Sequence, residues 1–183
     1  MIRIDKVTTK AGDGGETSLS DGSRVSKEDV RIEVLGALDE SNAVLGILRL
    51  HCGPGFDPAL SQMQHTLFDI GGVLSGPGLA QTLASLPAKV EELTTDTQAL
   101  AAALPPLTSF ILPGGSPASA YCHLARTVVR RTERRVVALH RATPVDAQVL
   151  RYLNRLSDFL FVLARTLNDD GAQDVLWRPD RGS

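Results

Sequence analysis

The chain has 183 residues, of which 43% are hydrophobic and 22% charged, and its formal net charge is −2. That length supports one domain with a proper core, and the near-neutral balance excludes a global pull towards nucleic acid or anionic membrane. Any basic site must therefore be local. Aromatics at 4% leave the core to Leu, Val, Ala and Ile. The opening residues offer no apolar run for a signal peptide, and no stretch is long and apolar enough to span a bilayer. Cys52 and Cys122 form no CxxC pair and read as incidental thiols of a reduced, cytoplasmic protein.

In chain order, residues 1–26 are rich in Gly, Ser, Thr and Asp and read as a polar arm. Ser26-Lys27-Glu28-Asp29 has capping-box spacing with Asp29 in place of Glu or Gln, and Val34, Leu35, Leu38, Leu45 and Leu48 mark an amphipathic helix. Asp57-Pro58, Ser116-Pro117 and Thr143-Pro144 each look like a cap residue followed by proline at the first helical position, where its missing N–H costs nothing. Leu86-Pro87 marks a fourth start, and Pro105-Pro106 closes the third helix. No segment alternates with period two for long enough to demand a strand. The expectation is all-α: helices at roughly 27–52, 57–75, 88–104, 117–141 and 144–170 in a five-helix up-and-down bundle. A single domain spans 1–183, with an arm at 1–26, the bundle at 27–170 and a tail at 171–183.

The fourth helix carries the densest charge: Arg126, Arg130, Arg131, Arg134 and Arg135, with Glu133 among them. Arg126, Arg130 and Arg134 recur every fourth residue and stack along one face. Such guanidinium groups repel one another unless an anion faces them, and their planar forks suit a polyphosphate. The plainer reading is a solvated face paired with Glu133 and carboxylates of other helices. On the fifth helix Asn154 and Asp158 share a face. Asn154 can read an adenine edge or a phosphate, or simply bond a neighbouring helix.

The arm segment Thr9-Lys10-Ala11-Gly12-Asp13-Gly14-Gly15-Glu16-Thr17-Ser18 suits wrapping a phosphate, with glycines that admit close approach of N–H groups. A flexible terminus explains it equally well. It is not a Walker A loop, because Glu16 stands where that motif's lysine belongs. There is no HExxH, no GxSxG and no Glu followed three residues later by His, so neither a zincin, a serine hydrolase nor a ferritin-type di-iron site is encoded. His51 beside Cys52 reads as structural. A phosphate site without an evident acid, base or nucleophile points to a reactive group that arrives with a bound molecule.

With these residues in hand, the chain resembles the PduO-type ATP:cob(I)alamin adenosyltransferases along nearly its whole length. The motifs are Thr9 to Thr17, Arg24-Val25-Ser26-Lys27, Leu38-Asp39-Glu40, Phe110-Ile111-Leu112-Pro113-Gly114-Gly115, Ala125-Arg126 with Arg130-Arg131-Thr132-Glu133-Arg134-Arg135, and Tyr152 to Asp158. The resemblance implies a ferritin-like bundle assembled as a homotrimer with ATP between subunits. Thr9, Lys10, Ala11, Gly12, Thr17, Ser18 and Lys27 would line the nucleotide, with Arg130, Arg131, Arg134 and Asn154 completing its pocket. Arg130, Lys27 and Phe110 would be the catalytic group, with Phe110 beneath the corrin ring. Asp39 would pair with Arg126 across the subunit boundary. Mg²⁺ would accompany ATP, with no protein side chain assigned to it.

The implied reaction transfers the 5′-deoxyadenosyl group of ATP to cob(I)alamin and releases triphosphate. A flavoprotein reductase and a cobalamin-dependent mutase are the implied partners. Ala11, Gly14 and Asp21 depart from the family pattern, the last adding negative charge near the arm. Two competitors stand beside this reading: a cofactor carrier serving a mutase without catalysis, and a helical interaction protein whose arginine stripe meets an acidic partner.

Overall fold

A computed structural model describes residues 8, 10–79 and 83–180. Five helices follow a short hairpin: β1 (Glu16–Ser18), β2 (Arg24–Ser26), α1 (Val30–Arg49), α2 (Asp57–Ser75), α3 (Leu86–Ala102), α4 (Pro117–Ala142) and α5 (Ala147–Thr166). The all-α expectation holds for the body. The arm differs, because β1 and β2 pair antiparallel with Thr17 opposite Val25. Strands of three residues are too short to show periodicity. What closes the hairpin is Asp21, whose carboxylate accepts from the Ser23 N–H and hydroxyl. These bonds hold its pKa below the ordinary carboxylate value. The charge at Asp21 thus serves the turn.

The caps correct the sequence reading at three places. α1 begins one turn after Ser26: its N-cap is Asp29, which accepts from the Arg31 N–H, while the Ser26 hydroxyl accepts from Glu28. Asp57 lies inside α2 and pairs instead with Arg49 at 2.7 Å. Thr143 closes α4 in an extended conformation, and α5 starts from Asp146, which accepts from Gln148. At α1 and α5 an acidic side chain outcompetes the reading based on proline or hydroxyl spacing, whereas α2 starts from Phe56 without a side-chain cap. Ser116 caps α4 as expected, accepting from the Ser119 N–H.

The helices alternate in direction. α1 packs on α2 and α4, and α5 packs on α4 and α3, so α3 and α5 are parallel neighbours. The core is a continuous leucine-rich seam, with Leu45, Leu48, Leu60, Leu67, Leu153, Leu156, Leu160 and Leu163 fully buried. Each such side chain contributes about 2 kcal/mol. One polar node interrupts it. Thr132 on α4 and Ser41 on α1 share a hydrogen bond at 2.8 Å, and both reach the Ala37 carbonyl. That node locks the register of α1 against α4.

Two ends result. The hairpin docks at one, where the Ser20 N–H and hydroxyl both donate to the Ser75 carbonyl and Arg31 bonds the carbonyls of Leu74 and Gly76. The other end holds Phe110, the start of α4 and the chain after α5. There Ile111 bridges Leu176, Leu112 N–H donates to Val175, and Trp177 N–H donates to Phe110.

Candidate active site

The arm is built around two cations. Arg24 bonds the Ala11 carbonyl at 2.8 Å and reaches Glu16 and Ser18 at 3.4 Å, tying β2 to the loop before β1. Lys27 N–H donates to Gly15, and its ammonium lies over Gly12, where an added Cβ would sit 3.0 Å from Nζ. The glycine at 12 therefore leaves room for the lysine. Lys10 adopts a left-handed φ of 59° and accepts from the Asp13 N–H. Thr17, Ser18 and Lys10 flank this same turn. Thr9 lies outside the described residues.

The arginine helix divides by face. Arg131 pairs with Glu40 and Arg135 with Glu33, both on α1. Those two stitch α4 to α1, so Arg131 belongs to the packing between helices as much as to any pocket. Arg130 and Arg134 are exposed, and among the described residues neither enters an ion pair. Glu133, the carboxylate expected to neutralise them, accepts instead from Asn154 at 3.1 Å. Asn154 also accepts from Arg155, which reaches Asp158 at 3.5 Å. Two unneutralised guanidinium groups one turn apart repel each other, and an anionic ligand relieves that.

Further along the same α4–α5 face the surface turns aromatic. A pocket of ≈ 620 Å³ is lined by Phe110, Ile111, His123, Arg126, Phe161 and Trp177, among others. Phe110 is 78% exposed, which a core phenylalanine never is, and Trp177 meets its edge at 6.2 Å. Arg126 lies 6.0 Å from the Phe161 ring centre. Burial first, then the Arg130 charge, lowers its pKa. Its Nε has no hydrogen-bond partner among the described residues, and neither has His123 Nδ1. Burial, then the Arg126 charge, holds His123 below the ordinary imidazole value.

His123, Phe161 and Trp177 were not singled out by sequence. His123 and Phe161 look like core positions on amphipathic helices, and Trp177 sits in a tail without periodicity. A lone tryptophan in a polar tail was the available signal.

Asp39 is exposed and lies beside Phe68, itself 69% exposed, along a groove between α1 and α2. Asp39 and Arg126 do not meet within one chain. Nor do the arm and Phe110: from Arg135, which pairs with Glu33 near the hairpin end, to His123, which lines the pocket with Phe110, the helix rises about 18 Å. His51 stacks on Tyr121 at 4.7 Å, a packing role. Cys52 and Cys122 are free, and burial pushes both thiols up. No described helix is long and apolar enough to cross a membrane.

Known proteins are similar to this chain along nearly its whole length. The family model for cobalamin adenosyltransferase matches residues 7–167. A cobalamin adenosyltransferase of Cupriavidus metallidurans is 47% identical over 99% of this chain and 98% of its own. A corrinoid adenosyltransferase of Mycobacterium tuberculosis is 45% identical over 97% and 95%. Among solved structures, a variant PduO-type ATP:corrinoid adenosyltransferase from Lactobacillus reuteri, complexed with cobalamin and ATP, superposes with a TM-score of 0.87. It has 31% identity and covers 95% of this chain and all of the other. Helices, arginine face and aromatic pocket converge with these likenesses on one assignment: the chain belongs to the cobalamin adenosyltransferase family.

Proposed function

We propose that this chain is a corrinoid adenosyltransferase that moves the 5′-deoxyadenosyl group of ATP onto cob(I)alamin and releases triphosphate. The observation that carries it is the α4–α5 face, where Arg130 and Arg134, without carboxylate partners among the described residues, run into an aromatic pocket headed by exposed Phe110. Polyphosphate fits the first part and a large flat macrocycle the second. No acid, base or nucleophile is needed from the protein. Reduced cobalt is itself the nucleophile and carries no proton. Its electron pair forms the bond to C5′ as the bond from C5′ to the triphosphate oxygen breaks.

What remains for the chain is alignment and stabilisation of the leaving charge. Arg130 and Arg134 take the triphosphate by bidentate hydrogen bonds, Asn154 orients the nucleotide, and Lys27 with the loop from Lys10 to Ser18 covers it. Phe110 packs against the corrin and disfavours its lower axial ligand. Mg²⁺ bound to ATP would share the phosphate charge. Among the described residues no cluster of three His, Cys, Asp or Glu could cage a metal ion.

We assign the complete site to two copies of the chain. The hairpin of one copy docks at the other end of the bundle from its own Phe110, and Asp39 and Arg126 are left apart. A neighbour that brings its Asp39 to Arg126 supplies the missing partner for a half-buried guanidinium and carries its arm towards the arginine face. A closed ring of three satisfies this at every boundary. A flavoprotein reductase and a mutase that accepts the product are the expected partners, and the cytoplasm the expected compartment.

The test is an anaerobic assay with ATP and chemically reduced cobalamin, following the cobalt–carbon product by absorbance. Product formation that requires ATP and Arg130 supports the proposal. Tight corrinoid binding without product would make the chain a carrier, and failure of ATP to protect the arm from proteolysis would favour an interaction protein.

A further inference from the structure

The chain after α5 makes an abrupt reversal. Asp169, Asp170 and Gly171 all take positive φ, at 58°, 48° and 83°, a run tolerated best by Asp, Asn and Gly. Its result is that Asp174 returns to Arg165, with Nε to Oδ2 at 2.8 Å. Both side chains are at least nine-tenths buried, at 8% and 5% exposure. Arg165 also donates to the Pro105 carbonyl at 2.9 Å, which fixes the exit from α3. The other oxygen of Asp174 accepts from Asn168 at 3.0 Å, and Asn168 accepts from the Ser116 N–H at 3.1 Å. One buried ion pair thus joins the end of α5, the exit of α3, the start of α4 and the tail.

Immediately beyond Asp174 the tail ladders onto the segment that carries Phe110. Leu112 N–H donates to Val175 at 2.8 Å and Trp177 N–H donates to the Phe110 carbonyl at 2.7 Å. The Ser109 hydroxyl adds a bond to the Trp177 carbonyl. Phe110 itself is exposed and belongs to no helix, so these bonds are what define its backbone. Removing one member of a buried pair leaves the other charge uncompensated, which here would release residues 174–177.

We infer that Arg165 and Asp174 are positioning residues: their buried pair clamps the C-terminal tail against residues 109–112 and thereby fixes Phe110 for corrinoid binding. The inference rests on the corrinoid reading of that pocket. It predicts a division of labour, because the clamp lies at the opposite end of the chain from the arm. Loss of the clamp should damage corrinoid binding and spare the arm's hold on ATP.

The only tryptophan in the chain is Trp177, so its fluorescence reports the tail directly. We would compare the full-length protein with Asp174→Asn, Asp174→Ala and Phe110→Ala. The measurements are acrylamide quenching, cob(II)alamin affinity, the spectroscopic fraction of bound cob(II)alamin lacking its lower ligand, and ATP affinity. The expected result for both Asp174 variants is stronger quenching, corrinoid affinity lowered tenfold or more, a smaller lower-ligand-free fraction, and ATP affinity within twofold. Should they fail to fold, Trp177→Pro against Trp177→Ala tests the same ladder without touching the buried pair. Proline removes the N–H given to Phe110, so it should weaken corrinoid binding beyond the loss of the ring alone.

Unchanged quenching, or increased quenching with unchanged corrinoid affinity and ligation, overturns the clamp. Equal affinity of the Trp177 pair does so in the alternative arm. If Phe110→Ala alone leaves ligation unaltered, the role given to Phe110 falls, and the inference that the clamp fixes it falls too. If the unaltered chain binds no corrinoid, the functional reading fails and takes the inference with it.

Discussion

Gly114 and Gly115 are adjacent in sequence and opposite in what they tolerate. An ideal Cβ on Gly115 would stand 2.1 Å from Asn168 Oδ1 and 2.6 Å from its Cγ, at a φ of +99°. Gly115→Ala therefore incurs left-handed strain of roughly 1–2 kcal/mol. It also evicts Asn168, a residue only 3% exposed, from its bonds to Ser116 and Asp174. Those two bonds contribute about 1 kcal/mol each, more where the partner is charged. The sum is about 3–5 kcal/mol, a large share of the 5–15 kcal/mol typical of a domain. At Gly114 the added methyl meets nothing within 4 Å and φ is not left-handed, so Gly114→Ala should stabilise by about 0.4–1 kcal/mol through the unfolded chain. Urea titrations at one fixed protein concentration decide it. With a slope of about 2 kcal/mol/M, the midpoint should fall by roughly 1.5–2.5 M for Gly115→Ala and rise slightly for Gly114→Ala. Midpoints that move together would refute the reasoning, since the two sites would then differ only on paper.

Other outcomes follow from the same geometry. Arg130→Ala should abolish turnover while the thermal midpoint stays within a few degrees, because the side chain is exposed and enters no ion pair among the described residues; retained activity in the cob(I)alamin assay contradicts its role. Phe110→Ala should impair adenosylation more when cobalt(II) must be reduced than with pre-reduced cobalt(I), and equal loss in both assays removes the ring-packing argument. Stability should also decline as pH falls below about 6.5. Burial lowers the folded pKa of His123, so below the unfolded value the unfolded chain binds the extra proton and is favoured. His123→Gln should flatten that slope between pH 6.5 and 5, and an unchanged slope would show that another group sets it.

The body of the fold was legible because its signals are long. Twenty-residue apolar stripes such as that of α1, and Ser116-Pro117 at the head of α4, follow from helical period and capping chemistry alone. The hairpin was not, since three-residue strands carry no period and Asp21 acts through a turn bond visible only in three dimensions. Caps at Asp29 and Asp146 were misassigned because several eligible residues stood within one turn, and spacing does not say which side chain finds the free N–H.

The site was half legible. Arg126, Arg130 and Arg134 declare a face by spacing, and Asn154 falls opposite it. Arg131 lies on the same helix but at a different angle, and its partner Glu40 on another helix emerges only from packing. His123, Phe161 and Trp177 come together from three distant stretches, a convergence that local sequence cannot express.

The central claim is that one copy supplies the arm and its neighbour the arginine face. Mixing Lys27→Ala chains with Arg130→Ala chains, unfolded and reassembled together at equal amounts, tests it directly. Each variant alone should be inactive. If the boundary joins the two halves, random assembly gives both intact halves at about one boundary in four, and about a quarter of the unaltered activity should return. A mixture as inactive as its components would place the whole site within a single chain and contradict the account.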